Sequence, residues 1–206
     1  MADSVKMSIS RALPVTLGSY NCRGYNSVKR DFIHKHLANV DILFVQEHWL
    51  SDSQLPDLGN VDNNISFSGV SGFDNSELLY GRPYGGCAFL WRSALLASVA
   101  PISVDSRRVC AIHVSSKDWN LLLINVYMPY EDSDARTEEF SQILCLIEDL
   151  IDRYTNCHIA IGGDFNVDFK RNFIGNQLLR DFMQSFDLVL CDEAVTAGAT
   201  TPVLTY

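Results

Sequence analysis

Hydrophobic spacing along the chain switches between two periods, and the switches mark its elements. Residues 40–45, Val-Asp-Ile-Leu-Phe-Val, are nearly all apolar over a strand's length and predict a strand buried on both faces, which stops at Gln46-Glu47-His48-Trp49. Val15 to Tyr20 alternates apolar and small residues and predicts a second strand, ending at Asn21-Cys22-Arg23-Gly24. A third begins at His158-Ile159-Ala160-Ile161 and runs into Gly162-Gly163-Asp164-Phe165-Asn166. Further strand signals fall at 65–67, 87–91, 109–114 and 121–127. Helical spacing appears after the first strand, where Asn26 or Ser27 can cap a helix whose inner face is Val28, Phe32, Ile33 and Leu37. Phe140, Ile143, Leu144, Ile147, Leu150, Ile151 and Tyr154 predict a second helix, with Glu138, Glu139, Glu148, Asp149 and Asp152 on a solvated face. Leu178, Leu179, Phe182, Met183 and Phe186 predict a third. Consecutive strands with no helix between them imply antiparallel pairing in a sheet sandwich flanked by the helices. The stretch from Asp52 to Gly81, rich in Asp, Asn, Ser and Gly, reads as surface loops around one short strand.

Composition narrows the class. With 206 residues, 47% hydrophobic and 20% charged, the chain can form one α/β domain with a sizeable core, and it is not disordered in character. The first ten residues are polar, and no apolar run approaches the roughly 20 residues that cross a bilayer, so an intracellular protein, nuclear or cytoplasmic, with no membrane partner is expected. The six cysteines lie far apart without a Cys-x-x-Cys pair and read as reduced, mostly buried thiols. A net charge of −9 opposes a general hold on nucleic acid, which favours a basic face. Any such face must be local: Lys29, Arg30 and Lys35 follow the first strand end and read as a solvated helix face, while Arg23 sits within that strand end.

Candidate chemistry gathers at the strand ends. Alternation places Asp164 and Asn166 on one side and Phe165 in the core, and the two glycines let a ligand or backbone come close. A carboxylate beside an amide suits an attacking water and an anionic oxygen. Alone, this segment fits equally well a strand followed by an Asp-rich turn. Glu47 and Asn21, each ending another strand, change that reading, because three such groups can converge and Mg²⁺ needs a site of one or two carboxylates completed by water and phosphate oxygens. Tyr80, Arg82 and Tyr84 can stack on or grip a nucleic acid, or the tyrosines can simply pack at a strand start.

Asn21 in Asn-Cys-Arg-Gly, Glu47 in Gln-Glu-His-Trp, Tyr127 in Asn-Val-Tyr-Met-Pro, and Asp164 with Asn166 in Gly-Asp-Phe-Asn make the chain resemble the endonuclease/exonuclease/phosphatase superfamily, the deoxyribonuclease I-like fold. The wording of these motifs is most similar to the endonuclease domain of LINE-type non-LTR retrotransposons. The resemblance implies a four-layer α/β/β/α sandwich and a Mg²⁺-dependent phosphodiester hydrolase that nicks DNA, with Mn²⁺ as a possible substitute. At matching positions it implies that Glu47, helped by Asn21, holds the metal, and that Asp164, Asn166, Tyr127 and Asn21 are catalytic. Arg23 and Arg82 are the candidate substrate-binding residues, and a longer parent protein would carry a reverse transcriptase domain. The family's closing strands bear a Ser-x-x-Asp-like segment and a histidine, and none of His34, His36, His48, His113 or His158 lies in that context. Residues 1–206 are therefore expected to be one domain incomplete at its C-terminus, nicking DNA weakly or not at all. The alternatives are a phosphatase or phosphodiesterase of the superfamily acting on a phospholipid or inositol phosphate, and a catalytically inactive fragment.

Overall fold

Two apolar runs, Ile42–Gln46 and most of Asn120–Tyr127, are buried along their lengths and form the middles of two different sheets in the computed structural model of the protein. The structure describes residues 4–5, 15–73, 81, 83–130, 133–170, 174–190 and 203–204. Among these the order is β1 (Ser4–Val5), β2 (Leu17–Asn21), α1 (Ser27–Leu37), β3 (Ile42–Gln46), a 3₁₀ segment (Asp52–Val61), β4 (Ile65–Val70), β5 (Cys87–Arg92), β6 (Ser98–Ile102), β7 (Val109–Ser115), β8 (Asn120–Tyr127), α2 (Asp134–Arg153), β9 (His158–Asp164), α3 (Ile174–Ser185), β10 (Val189–Leu190) and β11 (Val203–Leu204). One sheet runs β1-β2-β3-β5-β4 and the other β10-β11-β9-β8-β7-β6.

Each sheet is mixed, and crossover helices give the parallel pairs β2–β3 and β8–β9, with β11 also parallel to β9 and β10. α1 connects β2 to the parallel β3, and α2 connects β8 to the parallel β9, whereas β4–β5 and β6–β7–β8 pair antiparallel, as consecutive strands without helices should. Three apolar layers hold the stack together. Ile33, Leu37, Leu43, Val45, Leu58 and Leu90 pack α1 and the 3₁₀ segment on the first sheet. Leu17, Phe44, Phe89, Ile112 and Leu123 fill the space between sheets. Ile124, Phe140, Ile147, Leu150, Leu179 and Phe182 join the second sheet to α2 and α3. Each fully buried Leu, Ile or Phe contributes roughly 1.5–3 kcal/mol by leaving water. The result is the four-layer α/β/β/α sandwich.

Several expectations are corrected. On α1, Asn26 is the cap, accepting from the Lys29 N–H at 3.0 Å, but Val28 is 73% and Phe32 36% exposed, so only Ile33 and Leu37 of the expected face are in the core. Phe32 lies instead against Tyr20 and His36. Residues 52–61 are not loop but 3₁₀ turns, anchored by buried Leu58 and Val61. β6 gave no sequence signal because Pro101 interrupts it, and it is tolerated because β6 is an edge strand. Glu139 does not belong to the solvated face of α2: its carboxylate accepts from Arg108 Nε at 2.5 Å. Of the cysteines described, Cys22, Cys87 and Cys110 are buried, Cys157 is half-buried and Cys145 is exposed, all unpaired. No described helix is long and apolar enough to cross a membrane.

Candidate active site

Alternation along four strands changes the character of the space between the sheets from one end to the other. β2 turns Leu17 inward, then Ser19 and Asn21. β3 contributes Ile42 and Phe44, then Gln46. β8 gives Leu121 and Leu123, then Asn125 and Tyr127, and β9 gives Ala160, then Gly162 and Asp164. Because β2 and β3 are parallel, and β8 and β9 likewise, all four C-terminal ends reach the same rim. The interior is therefore apolar at one end, polar in the next layer and rich in acids and amides at the rim.

At that rim the Asn21 Nδ2 donates to Glu47 Oε1 and to Asp164 Oδ2, each at 2.7 Å. A carboxylate only accepts, so this contact fixes which end of the Asn21 side chain faces inward. Its oxygen accepts from the Arg23 N–H at 3.2 Å. The second oxygen of Glu47 accepts from Trp49 Nε1 at 3.2 Å, and the second oxygen of Asp164 accepts from the Asn166 N–H at 3.1 Å. Both carboxylates are thus held at both oxygens.

The chain bends sharply to reach this arrangement. Of five described non-glycine residues with left-handed φ, four are here: Arg23 (47°), Glu47 (53°), Trp49 (59°) and Asn166 (51°). Each such residue is disfavoured by about 1 kcal/mol or more, so the surroundings must hold it. Main-chain bonds do so: Glu47 N donates to Gly86 O at 2.9 Å, Trp49 N to Gly85 O at 3.1 Å, Gly24 N to Glu47 O at 2.7 Å and Tyr25 N to His48 O at 2.9 Å. Asn166 is not on the strand with Asp164, as alternation suggested. It lies in an Asx turn just beyond, its Nδ2 donating to Met128 O at 2.7 Å while Phe165 is buried.

Tyr127 ends β8, half-buried, with the Arg108 guanidinium 5.5 Å from its ring centroid. Burial, followed by the negative charges of Glu47 and Asp164, raises its hydroxyl above the ordinary tyrosine value, and Arg108 opposes them. The phenol therefore stays protonated as a donor. Arg108 also donates from NH1 to Tyr127 O at 3.3 Å. Neither Arg108 nor Glu139 was marked as functional by the sequence: what brings Arg108 to Tyr127 is the Val109–Val126 register of β7 and β8, and no local spacing encodes that pairing. Trp49 was visible as a motif residue, without its bond to Glu47. Arg23 is exposed at the rim, Tyr84 is 50% exposed beside Gly85, and Arg82 and Tyr80 lie outside the described residues.

His48 has a structural place. Its Nδ1 accepts from the Leu50 N–H at 3.0 Å, so Nε2 carries the proton and donates to Val70 O at 3.0 Å. Burial lowers its pKa from 6.5 to about 4. A folded value below the unfolded one means that the unfolded chain binds the extra proton as pH falls through this window. Stability is therefore full above pH 6.5 and declines towards pH 4, by up to about 3 kcal/mol from this residue. Urea unfolding at pH 7 and pH 5 is expected to show the loss, and His48→Gln, which has no such proton to gain, is expected to show a smaller one.

Among the described residues no group of three or more His, Cys, Asp or Glu side chains converges. The donors present at the rim, two carboxylates completed by solvent, nevertheless suit a hard divalent cation, which takes one or two carboxylates plus water and phosphate oxygens.

The Endonuclease/Exonuclease/phosphatase family matches residues 18–204. No curated protein sequence gives a significant match. Among solved structures, a 3′ phosphatase from Neisseria bound to a product DNA hairpin has a TM-score of 0.60 at 18% identity, covering 82% of this chain and 70% of that one. The endonuclease domain of TRAS1, a telomere-specific non-LTR retrotransposon, has a TM-score of 0.60 at 11% identity with the same coverage, 82% and 70%. A mannosyl-6-phosphatase from Bacteroides thetaiotaomicron has 0.56 at 21% identity, covering 84% and 71%. At these identities the likeness is one of fold.

Proposed function

The chain belongs to the endonuclease/exonuclease/phosphatase family, whose members are hydrolases, nucleases and phosphatases, and from that premise we propose that it cleaves phosphodiester bonds in DNA with a bound divalent cation, Mg²⁺ or Mn²⁺ in its place. The observation that carries this reading is the single amide nitrogen of Asn21 bonded at 2.7 Å to a carboxylate from each sheet. Two anionic groups brought face to face invite a cation. Glu47, helped by Asn21, would hold the ion, and Asn21 would set the separation of Glu47 from Asp164. When bound, it would neutralise a non-bridging phosphate oxygen and the leaving group.

The chain's own residues supply the rest. Asp164, held by Asn21 and by the Asn166 N–H, orients an attacking water and takes its proton. Tyr127, kept protonated, donates to the phosphate. Asn166 has committed one amide hydrogen to Met128 O and offers the other to developing negative charge. Arg23 at the rim pairs with a flanking phosphate. His48 has both ring nitrogens engaged, so taking the water's proton falls to Asp164. The likeness of fold to a retrotransposon endonuclease domain, together with Asn-Cys-Arg-Gly and Gln-Glu-His-Trp, supports a DNA-nicking domain of that kind, its partner a reverse transcriptase in a longer protein. The net charge of −9 favours the second reading, a phosphatase acting on a small phosphoester.

Purified protein with supercoiled plasmid in Mg²⁺ is expected to give slow nicking that a chelator abolishes. Hydrolysis of a small phosphomonoester without nicking would select the phosphatase, and inactivity on both would refute the hydrolase reading. Separately, Mn²⁺ is expected to broaden amide signals around Glu47, and Glu47→Ala to remove the effect. Equal broadening in both proteins would exclude Glu47 as a ligand.

A further inference from the structure

One layer below the rim, the two sheets are joined by a buried polar network. Asn125, fully buried on β8, donates from its Nδ2 to Val45 O at 2.9 Å and to Ala88 O at 2.8 Å, two carbonyls on the neighbouring strands β3 and β5 of the opposite sheet. Its Oδ1 accepts from Gln46 Nε2 at 2.7 Å, and the same nitrogen lies 3.3 Å from Ser19 Oγ on β2. Gln46 is 1% exposed. The side chain of Asn125 therefore uses both hydrogens and its oxygen to tie one strand to two strands of the other sheet, and Gln46 extends the tie to a third, β2. Apolar contacts between sheets permit sliding, whereas a saturated set of directional bonds fixes one offset.

The position of this tie determines its consequence. Asn125 is two residues before Tyr127 and stands in register with Gly162, two before Asp164. Gln46 directly precedes Glu47, and Ser19 is two before Asn21. Tyr127, Glu47 and Asn21 thus extend from strands gripped by the network, and Asp164 from the strand paired to β8. We infer that Asn125 is a positioning residue: it sets the offset between the sheets at which the Asn21 amide spans Glu47 and Asp164. The inference rests on the hydrolase reading for its effect on rate, but not for its effect on Asn21.

The test replaces Asn125 with leucine, of similar shape but without the bonds. Asn125→Leu is expected to lower kcat for bis(p-nitrophenyl) phosphate in Mg²⁺ by about 100-fold with KM within about threefold, since displacement of reacting groups by about 1 Å has effects of that size. In the ion-free protein, the side-chain amide NMR signals of Asn21, displaced by two charge-assisted bonds, are expected to move towards free-amide values. Ile112→Val, a buried change in the same inter-sheet core, should lower the melting temperature while leaving kcat and the Asn21 signals in place. Unchanged kcat and unchanged Asn21 signals in Asn125→Leu would overturn the inference, as would Ile112→Val reproducing its losses. If Asn125→Leu does not fold, Gln46→Met decides: a kcat reduced at least about fivefold with shifted Asn21 signals supports it, and wild-type values refute it. A wild-type protein inactive on the diester would instead defeat the phosphodiesterase reading, and the Asn21 signals would still judge the positioning.

Discussion

Asp164→Ala is expected to reduce phosphodiester hydrolysis by roughly 100- to 10,000-fold, the range seen when a positioned general base is lost, while the protein remains as stable as before. The two halves of this result have one cause. Asp164 stands opposite Glu47 across the Asn21 nitrogen, so removing it takes away both the proposed acceptor of the water's proton and one of two like charges held close together. Thermal unfolding without added cation is expected to show a melting temperature no lower than wild type, and initial rates in Mg²⁺ to fall towards background. Asp164→Asn keeps the shape but sets an amide against the Asn21 amide, so it should lose activity and also some stability. A variant lacking Asp164 with wild-type rates would remove it from the mechanism.

Gly163→Ala is expected to have the largest effect on folding. Gly163 has φ +146°, and a Cβ there would lie 2.0 Å from Val126 O and 2.8 Å from Val126 N and C. Those atoms belong to the main chain of β8, which pairs with β9 at this very residue, so they cannot yield without breaking the ladder that carries Asp164. A loss of about 4 kcal/mol or more, or failure to recover folded protein, should follow. Gly81 is the comparison: its φ is +95° but nothing lies within 4 Å of an added Cβ, and Gly81→Ala should lose only about 1 kcal/mol. Urea midpoints of the two variants test this directly, and a Gly163→Ala protein as stable as Gly81→Ala would contradict it.

What the sequence disclosed and what it withheld follow from the range of the interactions. The strands β3 and β8 were legible because burial on both faces leaves a continuous apolar run, and α2 because its seam repeats at helical spacing. Asn21, Glu47 and Asp164 were legible as polar residues abruptly ending such runs. The contact between Arg108 and Tyr127 was not, because it depends on the register of two strands, and neither was Glu139, because a helical pattern counts polarity and cannot name a partner across space. Asn166 was read as following Asp164 by alternation. The side chain instead arrives through a left-handed turn, a backbone choice that side-chain periodicity does not report. Asn125 stood within an apolar strand as a single polar exception, and only the opposing carbonyls of Val45 and Ala88 explain it.

Asn21 and Asp164 are 143 positions apart along the chain, yet share one hydrogen bond. During synthesis, which adds roughly 5–20 residues per second, the first sheet can emerge with Glu47 and Asn21 in place for several seconds before β9 leaves the ribosome. Such long-range closure comes late in folding. A growing chain thus carries the residues of the proposed hydrolytic site in two separate halves, and that site is assembled only at the moment the second sheet docks.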